Sequence, residues 1–219
     1  MTASNQRDRE KQIAAEAAAD LVEDGMTVGL GTGSTVSFLL PSLARRHRAI
    51  RCVATSPRTA DLARQLNIDV EPFTTIDRLD LAIDGTDQIT PDGWLIKGGG
   101  AAHTREKLVA ITADRFVVIA DSTKPVELLR GPVPVELLAF GLGSTLRRLN
   151  DITLREVPSS PDGGVIGDYH GPLVNPRETA SLLSNTPGLI EHGLFPPEMV
   201  TMALIGRGDR VEVMTYSSE

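Results

Sequence analysis

Short apolar runs that end in polar, glycine-rich loops and then give way to helix-forming stretches recur through the first 124 residues, and this alternation leaves few architectures open. MTVGLG (Met26–Gly31) leads into TGSTVSFLLPSLARR, where Ser34 or Thr35 is placed to cap a helix running towards Arg46. IRCVAT leads into SPRTADLARQLN. DVEPF, LDLAIDG (Leu79–Gly85), WLI and FVVIAD (Phe116–Asp121) read as further strands, with the helix TREKLVAIT before the last of them. A first helix is expected over Arg9–Val22, where Ile13, Ala17 and Leu21 fall on one face. Strand and helix in alternation imply βαβ units and a parallel sheet. After Lys124 the pattern changes. A proline-punctuated stretch, the helix LGSTLRRLN, the strands ITLREV and GGVIGDY and the helix NPRETASLLSN precede MALIGRGDRVEVM, which is expected to be the last strand. This reads as an α+β subdomain inserted before that strand.

In an open parallel sheet, ligands bind at the carboxyl ends of the strands. Each such end here carries chemistry. Gly31-Thr32-Gly33-Ser34-Thr35 follows the first strand, Asp84-Gly85-Thr86-Asp87 a central one, Lys97-Gly98-Gly99-Gly100 the run WLI with Glu106 beyond it, and Asp121-Ser122-Thr123-Lys124 the run FVVIA. All four clusters are expected on one edge of the sheet. GTGST offers backbone N–H groups, two kinds of hydroxyl and a helix N-terminus, which suits an anion; the plainer reading is a capped glycine turn. It lacks both the dinucleotide fingerprint and the P-loop pattern. Asp84 and Asp87 suit sugar hydroxyls or proton transfer, or else cap a turn. Lys97 suits an oxyanion or a phosphate. Glu106 suits a general base, or a first-turn carboxylate favoured by the helix dipole.

The remaining composition narrows the partners. A net charge of −7 over 219 residues argues against nucleic acid but leaves room for a small phosphorylated ligand. Cys52 is the only cysteine and lies in an apolar run, so it reads as a buried strand thiol in a reducing compartment. Histidines stand at positions 47, 103, 170 and 192, and none has metal-ligand spacing with another His or with Cys. Trp94 is expected to pack beneath the glycine loop. The polar start of the chain and the lack of a long apolar run predict no secretory signal, no membrane span and a cytoplasmic protein.

In order along nearly the whole chain, GLGTGST (Gly29–Thr35), AIDGTDQI, KGGGAAHTREK, IADSTKPV, GPVPVELLAFG, PGLIEHGLF and MALIG are similar to the landmarks of type A ribose-5-phosphate isomerases. Gln88 stands where that family usually has Glu, and His103 where it often has Leu. The resemblance implies an α/β fold: a Rossmann-like parallel sheet domain (residues 1–131 plus 203–219) with a smaller α+β, ferredoxin-like domain (132–202) inserted before the last strand. It implies interconversion of ribose 5-phosphate and ribulose 5-phosphate with no metal or organic cofactor, in a homo-oligomer, dimer or tetramer. By the same resemblance Glu106 is the base and Asp84, Asp87 and Lys97 handle the reacting sugar. Thr32, Gly33, Ser34 and Thr35 cradle the phosphate with help from Lys11, and Lys124 adds a binding lysine. Gly85, Thr86, Gly98, Gly99 and Gly100 line the substrate. Two alternatives stand beside this: an isomerase of another aldose phosphate, and a sugar-phosphate sensor, which would need a DNA-binding module that the acidic chain does not display.

Overall fold

A computed structural model describes residues 3–46, 49–74 and 76–216. His47 therefore lies outside the described residues. In chain order the elements are α1 (Ala3–Ala19), β1 (Thr27–Leu30), α2 (Val36–Arg45), β2 (Arg51–Ala54), α3 (Pro57–Gln65), β3 (Leu81–Gly85), β4 (Gln88–Ile89) and β5 (Leu95–Ile96). They continue with α4 (His103–Thr112), β6 (Phe116–Asp121), β7 (Val133–Leu137), α5 (Leu142–Arg148), β8 (Ile152–Leu154), β9 (Val165–Tyr169) and α6 (Pro176–Ser184). The chain closes with β10 (Leu189–His192), β11 (Leu194–Phe195), a 3₁₀ turn at Pro197–Met199, β12 (Met202–Arg207) and β13 (Arg210–Thr215). These pack as two compact units: Met1–Thr86 with Arg105–Lys124 and Glu198–Glu219, and Asp87–Thr104 with Pro125–Pro197.

The first unit is Rossmann-like. Its six-stranded sheet has the order β13-β12-β6-β3-β1-β2, with every pair parallel except the β12–β13 edge. Central strands buried on both faces read as nearly continuous apolar runs, and all six residues of β6 are buried, with the one charged residue, Asp121, at its carboxyl end. The core on one side of the sheet joins Leu30, Ile83 and Ile119 to Leu39, Leu40 and Leu43 of α2 and to the alanine face of α1 (Ala14, Ala15, Ala18 and Ala19), all at most 2% exposed. Each buried leucine or isoleucine stabilises the fold by about 1.5–3 kcal/mol. Helix α3 starts where the sequence places it, with the Ser56 hydroxyl accepting from Thr59 N at 3.2 Å and Pro57 in the first turn. Cys52 is fully buried, and that burial pushes its thiol up to about 12, which fits an inert strand residue.

Two expected strands differ. DVEPF forms one bridge, Cys52 with Val70. Glu71 N still donates to Cys52 O, but Pro72 has no N–H with which to extend the ladder. MALIGRGDRVEVM is two strands, because Gly208, at φ +59°, and Asp209 form a two-residue hairpin turn between the paired Arg207 and Arg210.

The second unit holds two antiparallel sheets. β7-α5-β8-β9-α6-β10 gives the sheet order β10-β7-β9-β8, the ferredoxin-like split βαβ arrangement. Its core contains Val133, Val135, Leu137, Leu149, Tyr169 and Leu183, together with Trp94, which is 7% exposed. The guanidinium of Arg177 lies 5.6 Å from the Trp94 ring centroid. The other sheet has the order β11-β5-β4. This corrects one expectation. The Lys97 loop follows β5, a strand of that small antiparallel sheet, and not a strand of the parallel sheet. β5 is only two residues long, and its ladder partners are β4 and β11. Among the described residues no helix is long and apolar enough to cross a membrane.

Candidate active site

The first unit brings two of the expected clusters into direct contact. Asp84, the penultimate residue of β3, is 3% exposed, and its Oδ1 accepts from Thr32 N at 3.0 Å and from Gly85 N at 2.7 Å. The GTGST loop is thus built on the Asp84 carboxylate. Gly31 makes this possible: a Cβ there would stand 1.9 Å from Asp84 Cγ, so only glycine lets the loop backbone lie against the acid. On its other side the loop is held by a hydroxyl cluster that sequence reasoning passed over. Thr32 Oγ1 lies 2.7 Å from Thr55 Oγ1, and the Thr59 hydroxyl donates to Gly31 O at 2.9 Å. The signal was available, since Thr55-Ser56 also follows a parallel strand. Gly33 and Ser34 are exposed, Thr35 is buried, and α2 begins at Val36. Thr35 occupies the capping position without making a side-chain capping bond. Thr86 is 9% exposed.

A second construction in the same unit holds the turn after β6. Asp121, 1% exposed, accepts from Thr123 N at 3.0 Å, and Lys124 N donates to Asp121 O at 3.2 Å. Ser122 is tied to α1: the Glu10 carboxylate accepts from Ser122 N at 3.1 Å and from Ser122 Oγ at 2.6 Å. Glu10 also accepts from Gly208 N at 2.9 Å and Gln6 Nε2 at 3.2 Å. Burial pushes this acid up, but the bonds from Ser122, Gly208 and Gln6 outweigh it and hold the group at about 2. Glu10 precedes Lys11, and Ser122 stands two residues before Lys124, so one hydrogen-bonded acid fixes the backbone that carries both expected phosphate-binding lysines. Lys11 Nζ lies 4.0 Å from Asp8 Oδ1. Glu106, in the first turn of α4, is 4% exposed.

The second unit carries the glycine loop. Asp87 N donates to Ile96 O at 2.9 Å, and its Oδ2 accepts from Gly99 N at 2.8 Å. Lys97 is 2% exposed; its N–H donates to Gly193 O at 2.8 Å and its Nζ lies 5.5 Å from the Phe195 ring centroid, a cation–π distance. Gly98 adopts φ +106°, and a Cβ there would meet His103 Nδ1 and Pro134 Cβ at 2.8 Å, so no other residue fits. Gly99 and Gly100 are exposed. His103, fully buried, packs under the loop. Gln88 uses both ends of its amide on one residue, donating to Arg130 O at 2.7 Å and accepting from Arg130 N at 2.8 Å, a pairing that a Glu carboxylate could not complete. Sequence reasoning also missed Arg155, whose guanidinium pairs with Asp168 and donates to Gly98 O. No local pattern marks it, because its partners are up to 57 residues away. Among the described residues no group of three or more His, Cys, Asp or Glu is placed to hold a metal ion.

Comparison with known proteins gives a consistent answer. Residues 51–210 match the family described as ribose 5-phosphate isomerase A (phosphoriboisomerase A). The chain is 45% identical over 221 residues to ribose-5-phosphate isomerase A of Roseiflexus castenholzii, covering 92% of this chain and 93% of that protein. It is 43% identical over 214 residues to the protein of the same name from Caulobacter sp. strain K31, covering 91% and 94%. Among solved structures, ribose 5-phosphate isomerase A from Neisseria gonorrhoeae superimposes with a TM-score of 0.91 at 31% identity, covering 96% of this chain and 98% of that one. A D-ribose-5-phosphate isomerase in complex with phospho-erythronic acid superimposes with a TM-score of 0.88 at 30% identity, covering 98% and 100%.

Proposed function

The chain belongs to the ribose-5-phosphate isomerase A family and is an aldose–ketose isomerase that interconverts D-ribose 5-phosphate and D-ribulose 5-phosphate, a step of the non-oxidative pentose phosphate pathway; we propose that Glu106 performs the proton transfer through an enediolate. The observation that carries the assignment is the burial of the Glu106 carboxylate, 4% exposed in the first turn of a helix that opens just after the Lys-Gly-Gly-Gly loop. A carboxylate shielded from water can take a proton from carbon without losing it to solvent.

In the aldose-to-ketose direction Glu106 removes the C2 hydrogen as a proton. The electron pair moves into a C1–C2 double bond, and the carbonyl oxygen on C1 takes up negative charge. Lys97, a nearly dry ammonium, stabilises that oxygen, where a fixed cation is worth more than in water. Asp84 and Asp87 accept hydrogen bonds from the sugar hydroxyls and pass the proton from O2 to O1. Glu106 then returns its proton to C1. The Asp84–Thr32 hydrogen bond supports the roles of the neighbouring groups, because it ties the acid to the loop that would hold the phosphate. Thr32, Gly33, Ser34 and Thr35 offer hydroxyls and the N-terminus of α2 to the phosphate, and Lys11 and Lys124 neutralise its charge. Gly85, Thr86, Gly98, Gly99 and Gly100 contact the sugar chain. The complex of a structural relative with phospho-erythronic acid supports a site for a phosphorylated sugar acid here as well. The reading includes a cytoplasmic homo-oligomer, dimer or tetramer, working without metal or organic cofactor.

The test is Glu106→Gln, which keeps size and polarity but cannot take the proton. A positioned general base contributes about 10²–10⁴ in rate, so kcat falls at least a hundredfold while substrate still binds. If Glu106 served only the helix dipole, the change would cost about 0.3–1 kcal/mol of stability and leave kcat alone. Exchange of the C2 hydrogen in deuterated water reads proton abstraction directly, and near wild-type exchange in the variant would remove Glu106 from the role.

A further inference from the structure

Three consecutive glycines do not hold a conformation by themselves, since each peptide unit between them can flip at little steric cost. Something else must set which way the N–H groups of Gly98–Gly100 face. In a trans peptide the C=O and N–H point in opposite directions, so fixing one fixes the other. Gly98 O and Gly99 N belong to one such unit. Its oxygen accepts from Ala101 N at 3.0 Å across the loop's own turn and from Arg155 Nη1 at 2.9 Å, and its N–H donates to Asp87 Oδ2 at 2.8 Å. This unit is therefore held at both ends, while the turn bond leaves the central 99–100 unit free to face either way. Gly99 O belongs to the next unit and lies 3.4 Å from the same Nη1. Turning that carbonyl to Arg155 aims the Gly100 N–H the opposite way.

Arg155 is itself fixed. Its Nε and Nη2 donate to the two oxygens of Asp168 at 2.7 and 2.6 Å, leaving Nη1 for the loop carbonyls. Both side chains are about one-fifth exposed. Only a planar guanidinium can pair bidentately with a carboxylate on one edge and serve two carbonyls from the other; a lysine ammonium cannot do both.

We infer that Arg155, oriented by Asp168, is a positioning residue for the isomerisation: it turns the carbonyls of Gly98 and Gly99 to itself and so presents the Gly100 N–H to the sugar. This rests on the reading that the glycine loop lines the substrate. A flip of the 99–100 unit would place a carbonyl oxygen where an N–H should meet a sugar oxygen, replacing attraction with repulsion at the step where negative charge develops.

The experiment compares Arg155→Met, Arg155→Lys and the double variant Arg155→Met/Asp168→Leu. The single Met variant strands the Asp168 charge and can lose its fold. The double variant replaces the ion pair with apolar side chains, an exchange that is often neutral or stabilising, so it keeps the fold while the loop loses its donor. The expected result, in folded enzyme at matched active concentration, is a fall in kcat/KM of at least tenfold, shared between a raised KM and a lowered kcat, for the double variant and for Arg155→Lys alike. The amide resonances of Gly99 and Gly100 shift in both. A purely structural role would lower the folded fraction and leave the KM of the folded enzyme unchanged. Wild-type KM and kcat in the folded double variant, or unmoved Gly99 and Gly100 resonances, would overturn the inference. Failure of the wild-type protein to isomerise ribose 5-phosphate would instead defeat the parent reading, and the glycine resonances would still report whether Arg155 sets the loop.

Discussion

Replacing Glu10 with Gln is expected to weaken both the fold and the binding of substrate, through a carboxylate that never touches the sugar. Glu10 is 1% exposed and accepts four hydrogen bonds, two from backbone N–H groups and two from side chains. Gln keeps one acceptor oxygen and turns an NH₂ towards donors, so at least one backbone N–H loses its partner. Hydrogen bonds to a charged group contribute about 1.5–3 kcal/mol each, and losing one of them with some rearrangement of the rest costs about 2–3 kcal/mol. A second route gives a similar figure. Burial raises the acid and the bonds from Ser122, Gly208 and Gln6 lower it further, from 4.5 to about 2. A shift of one pKa unit is about 1.4 kcal/mol, which makes roughly 3.5 kcal/mol at neutral pH, the same order as the first figure. In a chain of this size that is a fall in Tm of roughly 5–10 °C. The sign of the pH dependence follows from the lowered value: the contribution is complete above about pH 4.5 and is lost as pH falls towards 2. Denaturant unfolding of wild type and Glu10→Gln at pH 7 and pH 3 checks it, with the gap between them smaller at pH 3. Loosening Ser122 also frees the turn that carries Lys124, so KM for ribose 5-phosphate should rise several-fold with kcat nearly unchanged. Equal denaturation midpoints at pH 7 would refute the reasoning outright, because no four-bond anchor could then exist.

Gly31→Ala would place a methyl 1.9 Å from Asp84 Cγ; overpacking of this kind costs about 1–3 kcal/mol. Because the loop and the acid must separate, kcat/KM should fall at least tenfold in protein that remains folded by circular dichroism. Lys124→Ala and Ser34→Ala should each raise KM more than they lower kcat, and inorganic phosphate should compete with substrate in the wild type. Unchanged KM in both variants would place the phosphate elsewhere.

Most strands and helices of the first unit and its polar loops were legible in the chain, because period and capping act over a few residues, although DVEPF closes only one bridge and MALIGRGDRVEVM folds as two strands. Leu81–Ile83 and Phe116–Ala120 are unbroken apolar runs, which is what a strand covered on both faces requires, and Ser56-Pro57 starts α3 by a local hydrogen bond. Helix α1, by contrast, begins at Ala3 rather than near Arg9, on residues whose polar composition carries no helical stripe. β7 was obscured by Pro134, which a central strand normally excludes. It is tolerated because Pro134 faces Gly193, beyond the end of β10: its carbonyl accepts from Gly193 N at 2.7 Å, and the Gly193 carbonyl takes its hydrogen bond from Lys97 N at 2.8 Å, so no donor from residue 134 is needed. Tertiary pairing alone showed that Lys97 and its glycines follow a strand of a small antiparallel sheet, since a two-residue strand has no sequence signature and exists through its partners. It alone decided that Asp84 carries the GTGST loop, that Glu10 anchors the Lys124 turn from 112 residues away, and that Arg155 sets the glycine loop. Hydrogen bonds of that span leave no periodic trace in the chain, because they depend on where two backbones meet after the core has packed.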